Sequence, residues 1–197
     1  MIREVLQGLG VPFKEADDEA AFYGPKVDVQ FKSAIGREET MSTVQLDFIA
    51  RERFGLTYTD SEGKENNEVF VIHRAPMSTH ERFMAFLIEH YAGAFPLWLS
   101  PVQVSVLPVS SAQEEYAEQV VTTLKERGVR IELLSGNDSL GKRIREAKVK
   151  KVPYFIVIGD KEKDSGNLTL EQRSGEKLEL SLDNLITKLE TEIKERK

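Results

Sequence analysis

Between Val69 and Gly93 the pattern of apolar and polar positions changes period once, and this stretch organises the first part of the chain. Val69, Val71 and His73 fall on one face of an alternating run and Phe70, Ile72 and Arg74 on the other, which predicts a strand. Phe83, Phe86 or Leu87, and Tyr91 then recur at helical spacing. They follow Ser78-Thr79-His80-Glu81, whose S-x-x-E order predicts a capping box with Ser78 as the cap. Two alternating runs lie upstream. Over Lys26–Ser33, Val27, Val29 and Phe31 oppose Asp28, Gln30 and Lys32, a half-buried strand. Over Thr40–Phe48, Ser42, Val44, Leu46 and Phe48 oppose Met41, Thr43, Gln45 and Asp47, with Ile35-Gly36-Arg37 as the turn between the two strands. A mostly polar strand face predicts that it meets solvent or lines a cleft. Met1–Gly10 predicts a short helix ended by Gly10, residues 11–19 a loop, and residues 49–67 a loop or hairpin. The first half thus predicts an antiparallel sheet with a helix against it.

The two prolines of Phe95–Pro101 mark a boundary, with domains expected over residues 1–98 and 99–197. Beyond them strands alternate with helices, so the fold class is α/β. Val102–Val109 predicts an apolar strand, Ser110 or Ser111 caps a helix to about Arg127, and Gly128 ends it. Arg130–Leu134 and Tyr154–Ile158 predict strands, and Asn137–Lys150 a loop and helix. Leu168–Gln172 and Lys177–Leu180 predict a hairpin across Ser174-Gly175, and Ser181 caps a terminal helix.

Composition removes several classes. Of 197 residues, 40% are hydrophobic and 30% charged, which suits a soluble globular protein. No apolar run is long enough to span a bilayer, and the first residues lack a signal peptide's apolar core. With no cysteine there is no disulfide, thiolate metal site or cysteine nucleophile, which is compatible with a cytoplasmic location. A net charge of −6 argues against non-specific coating of nucleic acid, so a nucleic-acid partner requires a local basic patch. Gly141–Lys151 is that patch, with six positive charges and one negative. It reads either as a solvated helix face over a buried stripe of Leu140, Ile144 and Ala147, or as a helix facing RNA.

The stretch His73-Arg74-Ala75 followed by Ser78-Thr79-His80-Glu81-Arg82-Phe83 resembles the third signature motif of the threonyl-tRNA synthetases, a class II aminoacyl-tRNA synthetase family. Ala21–Lys26 (AFYGPK) and Ser42–Phe48 (STVQLDF) agree with it in order, and with the second half the resemblance runs over essentially the whole chain. It implies the end of a class II catalytic domain, a partial antiparallel sheet with its helix. A mixed five-stranded anticodon-binding domain with three helices follows. It further implies a C-terminal piece of an enzyme that activates threonine with ATP and magnesium and transfers it to tRNA-Thr. The piece lacks the first two motifs and the editing domain, and is not expected to aminoacylate alone. A homodimer is implied for the full enzyme.

The resemblance also distributes roles. His73 matches one of three zinc ligands; the other two, a Cys and a His, are not in this sequence, so the zinc site is incomplete here. A neutral imidazole on a rigid strand suits such a site. Arg82 matches an arginine on ATP phosphate, at a helix N-terminus that itself favours anions; paired with Glu81 or Glu89 it would be a plain surface arginine. Tyr23 and Lys26 match residues of the amino-acid pocket, Lys26 near the reacting centre. Thr43 and Gln45, on the polar strand face, match residues meeting ATP and threonine. Asp47 reads as a structural hydrogen-bonder. Thr79 keeps the family's Ser or Thr, whereas Ser78 stands where glycine is usual. Glu39-Thr40 replaces an aromatic–Gln pair, with Thr40 the candidate for its ATP contact. In the second half Asn137, Arg145, Lys151 and Glu162 match positions near the anticodon, and Lys142 belongs to the same basic run. Glu171 stands where the family has an arginine reading the anticodon, and Arg173 is the candidate substitute. A second reading is a stand-alone tRNA-binding or regulatory paralogue of the anticodon-binding domain.

Overall fold

The structure, a computed structural model, describes residues 2–136 and 138–197. Asn137 lies outside the described residues. The chain divides into two compact units, Met1–Phe86 and Leu87–Lys197.

The first unit contains helix α1 (Ile2–Gly8), strands β1 (Lys26–Lys32) and β2 (Glu38–Asp47), helix α2 (Ala50–Phe54), the short hairpin β3 (Tyr58–Thr59) and β4 (Glu65–Asn66), strand β5 (Val71–Ala75), and the start of helix α3 (His80–His90). An antiparallel sheet runs in the order β1-β2-β5. Its register sets Lys26, Gln45 and His73 in one row across the strands and Asp28, Thr43 and Ala75 in the next. Directly opposed residues share a face, so the polar residues of three strands converge on one side. A register shift between Val29 and Gln30 brings Phe31 opposite Glu39. There the Phe31 ring meets Phe86 of α3 edge-on at 5.6 Å.

Residues 49–67 are not only loop and hairpin. Asp47 Oδ1 accepts the amides of Ile49 and Ala50, both at 2.9 Å, which starts α2, and Gly55 ends it in the left-handed conformation. The cap of α3 also differs from expectation. Thr79 Oγ1 accepts the Arg82 amide at 3.3 Å, so Thr79 is the N-cap, one residue later than predicted. Ser78 is instead the turn residue before the cap, with φ +53°. That conformation suits glycine and strains serine.

The second unit begins with a 3-10 turn (Leu97–Leu99) and continues with β6 (Val104–Pro108), α4 (Glu114–Glu126), β7 (Ile131–Leu133), α5 (Leu140–Val149), β8 (Tyr154–Ile158), α6 (Asp160–Ser165), β9 (Asn167–Gln172), β10 (Lys177–Ser181) and α7 (Leu182–Lys194). The mixed five-stranded sheet has the order β10-β9-β8-β6-β7. Strand β6 is parallel to β7 and β8; β9 is antiparallel to β8 and β10. The expected hairpin and capped terminal helix are present, and α6 is an additional short helix. One sheet face is covered by α4 and α7, whose Val120, Leu124, Leu185 and Leu189 join Val104, Val106, Ile156, Leu168 and Leu170 in a single apolar core.

Candidate functional site

The polar face of the first sheet is built from backbone register upward. Gly24 makes it possible. A Cβ there would stand 2.1 Å from the Leu46 carbonyl oxygen, so only glycine allows residues 21–26 to lie against the end of β2. The close approach is fixed by Leu46 donating to the Pro25 carbonyl and Phe48 to that of Tyr23, both at 3.0 Å. Tyr23 is thereby held over the sheet, its hydroxyl donating to Gln45 Oε1 and its ring tilted against His73 at 5.5 Å.

Around that row the charges are paired. Lys26 Nζ lies 2.7 Å from Asp28, and Thr43 Oγ1 donates to Asp28 at 2.7 Å. Burial works against the ionised Asp28 carboxyl, but the Lys26 ammonium and the Thr43 hydroxyl outweigh it and hold its pKa below the usual carboxylate value. Asp28 in turn raises the pKa of Lys26. His73 Nε2 lies 2.9 Å from Asp47 Oδ2. That contact comes first among the causes, ahead of the Ala50 and Ile49 amides, that lower the pKa of Asp47. Asp47, at 9% exposure, is buried on this face and the His73 side chain is half exposed, whereas Val44 and Ile72 on the opposite face are 38% and 60% exposed.

Arg82 is paired with Glu39, at 2.5 Å, not with Glu81 or Glu89. The acid is the residue where the family's aromatic–Gln pair begins. Thr40 exchanges hydrogen bonds with Gln30 on the surface. The structure thus brings Tyr23, Lys26, Thr43, Gln45 and His73 together and places Arg82, Thr79 and Thr40 toward the α3 end of the sheet. Asp28 was not singled out in the sequence, although it alternates in phase with Lys26 and pairs across to Thr43. Among the described residues no group of three His, Cys, Asp or Glu side chains is arranged to hold a metal ion.

In the second unit the basic run differs most from its sequence reading. Arg143, at 6% exposure, is buried with Ala147, while Leu140 and Ile144 are only half-buried. Its guanidinium donates to the carbonyls of Pro108, Leu134, Asp138 and Val109, closing the ends of β6 and β7 over α5. Lys142 pairs with Asp138 at 2.8 Å, Lys148 with Glu171 at 3.1 Å, and Lys150 with Glu146 and Glu132 at 2.8 and 3.8 Å. Lys151 donates to the Ala92 carbonyl. Arg145 is exposed and makes no ion pair with a described residue. Glu171 is held by two lysines, Lys148 and Lys177, each at 3.1 Å, with its side chain 15% exposed. Arg173 lies past the end of β9 rather than on its face, and donates to the Phe95 carbonyl at 2.8 Å. Burial lowers the pKa of its guanidinium. Glu162 ties α6 to β9, accepting the Gly159 amide and the Thr169 hydroxyl, both at 3.1 Å.

Known proteins resemble both units. Residues 1–91 match the tRNA synthetase class II core domain (G, H, P, S and T), and residues 103–192 match an anticodon binding domain. The chain is 49% identical over 196 residues to a threonine–tRNA ligase of Exiguobacterium sp. and 50% identical over 200 residues to that of Geobacillus kaustophilus, covering 99% and 100% of this chain. It spans about 30% of the length of these curated relatives. A solved structure titled as the RNA binding domain of threonyl-tRNA synthetase from Cryptosporidium parvum superposes with a TM-score of 0.82 at 33% identity, over 96% of this chain and 48% of that one. A prolyl-tRNA synthetase from the same organism shares the fold, with a TM-score of 0.74 at 21% identity over 92% of this chain and 40% of that one. A class II core segment with an ordered polar face, an anticodon-binding fold and near-half identity along the whole length agree: the chain belongs to the threonine–tRNA ligase family of class II aminoacyl-tRNA synthetases.

Proposed function

We propose that the chain supplies one wall of the aminoacylation site, over residues 1–98, and the anticodon-binding domain, over residues 99–197, of an enzyme that activates threonine with ATP and transfers it to tRNA-Thr in the cytoplasm. The observation that carries this reading is the in-register row Lys26–Gln45–His73 beneath Tyr23, on the polar face of the sheet. Three hydrogen-bonding groups on strands, with the Tyr23 hydroxyl from the preceding turn, form a surface fit for a small polar substrate. Tyr23 and Gln45 meet the substrate amino acid, Lys26 stands at the reacting carboxylate, and Thr43 meets ATP. Thr40 and Thr79 line the nucleotide side. Arg82 takes an ATP phosphate, with magnesium brought by the nucleotide, once its guanidinium leaves Glu39. A single imidazole does not make a zinc site. His73 would hold zinc only together with ligands from outside this chain, and within the chain it belongs to a hydrogen-bonded surface. The complete enzyme acts as a homodimer.

Within the basic run Arg145, which makes no ion pair with a described residue, is placed to meet RNA phosphate, with Lys142, Lys148 and Lys151 available by exchange from their present partners. Asn137, Glu162, Glu171 and Arg173 belong to the anticodon side. Binding of a threonine-tRNA anticodon stem-loop, at two salt concentrations and beside a loop with altered anticodon bases, tests this. Tight binding lost on changing the bases supports anticodon reading. Equal weak binding of both loops, abolished by salt, rejects it. Threonine-dependent ATP–pyrophosphate exchange is expected to be absent from this chain alone, and its appearance would show that the wall described here suffices for activation.

A further inference from the structure

His73 is the one residue of the polar face whose chemistry depends on which of two atoms carries a proton. A neutral imidazole has one N–H donor and one lone pair, and the partner of either nitrogen fixes both. Here the partner is Asp47, and its geometry leaves little choice. Oδ1 of Asp47 is occupied by the Ile49 and Ala50 amides at 2.9 Å each, which start α2 immediately after the strand. Oδ2 faces His73 Nε2 at 2.9 Å. Asp47 is 9% exposed and lies at the last position of β2, so its carboxylate is anchored from both sides of the chain bend. An anchored carboxylate only accepts, so Nε2 must donate.

We propose that Asp47 is a positioning residue that locks His73 in its Nε2–H form and leaves the lone pair on Nδ1. The ligand this prepares for is any group that seeks a nitrogen lone pair, such as a substrate ammonium or hydroxyl, or a Lewis-acidic metal ion. A histidine in the other form would offer an N–H in the same place, which repels an ammonium or a metal ion and could meet a hydroxyl only as donor. The Tyr23 ring at 5.5 Å and the register neighbour Gln45 limit how the imidazole can turn, so tautomer and orientation are set together. This rests on His73 facing ligand in the proposed function, but the tautomer is a property of the chain alone.

The test is long-range proton–nitrogen correlation NMR on the uniformly labelled chain, at a pH where imidazole is neutral. The sequence has three histidines, so His73 is assigned by the loss of its signals in His73→Gln. In the wild type Nε2 is expected in the protonated range and Nδ1 in the unprotonated range. Asp47→Asn is the informative variant. Its carboxamide oxygen still accepts the α2 amides, while its NH2 group now donates toward Nε2. The two nitrogens are therefore expected to exchange character, with the proton on Nδ1. An Nδ1–H form in the wild type overturns the proposal whatever the variant does, and so does an Asp47→Asn spectrum with the wild-type pattern. Failure of the anticodon-loop experiment would leave this result untouched, so the two readings fail separately.

Discussion

The two units use burial for opposite ends. In the second, the inward faces of β6, β8 and β9 carry Val104, Val106, Ile156, Leu168 and Leu170, covered by α4 and α7. In the first, the better-protected face of the sheet is the polar one, while Val44, Phe48, Phe70 and Ile72 on the other face lie open. A sheet normally hides its apolar face. The second unit has an extended apolar core, whereas in the first specific hydrogen bonds and one close-packed glycine order the polar side chains. Its polar residues are organised in advance of any ligand.

The sharpest way to break that contrast is to make the same substitution in both. Ile156→Ala removes a completely buried side chain from the middle of β8 and is expected to cost about 2–5 kcal/mol. Ile72→Ala, at 60% exposure on β5, is expected to stay within roughly 0.5 kcal/mol. Urea unfolding of both variants gives the comparison, and equal losses would mean that the open face is covered in solution. Next in size is Gly24→Ala. Its Cβ would press on backbone rather than on a movable side chain, so the turn must shift, at a cost of about 2 kcal/mol or more. The Tyr23–Gln45 contact is expected to go with it, read as a change in tyrosine fluorescence or ring NMR shifts.

Titration separates the units more gently. The folded pKa of Asp28 is depressed, so the stability it contributes is present above the ordinary value of about 3.9 and lost as pH falls through the folded one. The first unit therefore weakens on the acid side. Tyr154 has the opposite sign. Burial, then its hydrogen bond to Glu192 at 2.8 Å, raises its pKa, so its contribution is present below about pH 10 and lost as pH rises further. Asp28→Asn is expected to flatten the acid limb of the stability profile and Tyr154→Phe the alkaline limb. Each should leave the other limb unchanged.

How far the sequence reached follows the same division. The strands of the first unit were readable because apolar and polar residues alternate along each of them, which assigns the faces but not the register shift between Val29 and Gln30. Strand β8 and the capped terminal helix were readable for the same local reasons. What the sequence hid were interactions between distant positions. Arg143 has the spacing of a surface residue on α5, yet four carbonyls at the strand ends take its guanidinium inside. Lys148 and Lys150 look like RNA-facing charge until Glu171 and Glu132, from two different strands, are seen beside them. A linear charge count cannot register such pairings. Helix α2 was missed although Asp47 and Gly55 bracket it, because five residues carry too little periodicity to outweigh a loop.

The smallest expected effect concerns the turn into α3, where sequence and structure disagree by one residue. If Ser78 were the cap, replacing it with glycine would cost a few tenths of a kcal/mol. In the structure Thr79 caps the helix and Ser78 occupies the left-handed region at φ +53°, where a Cβ is unfavourable. Ser78→Gly should therefore stabilise the first unit by about 0.5–1 kcal/mol, the relief of backbone strain exceeding glycine's larger entropy in the unfolded chain. Thr79→Ala should destabilise it by about 1 kcal/mol through loss of the cap. Opposite signs at adjacent positions, measured by thermal or urea unfolding, place the helix start at Thr79. They would also show that serine stands here at a stability cost, on the loop that leads directly to Arg82.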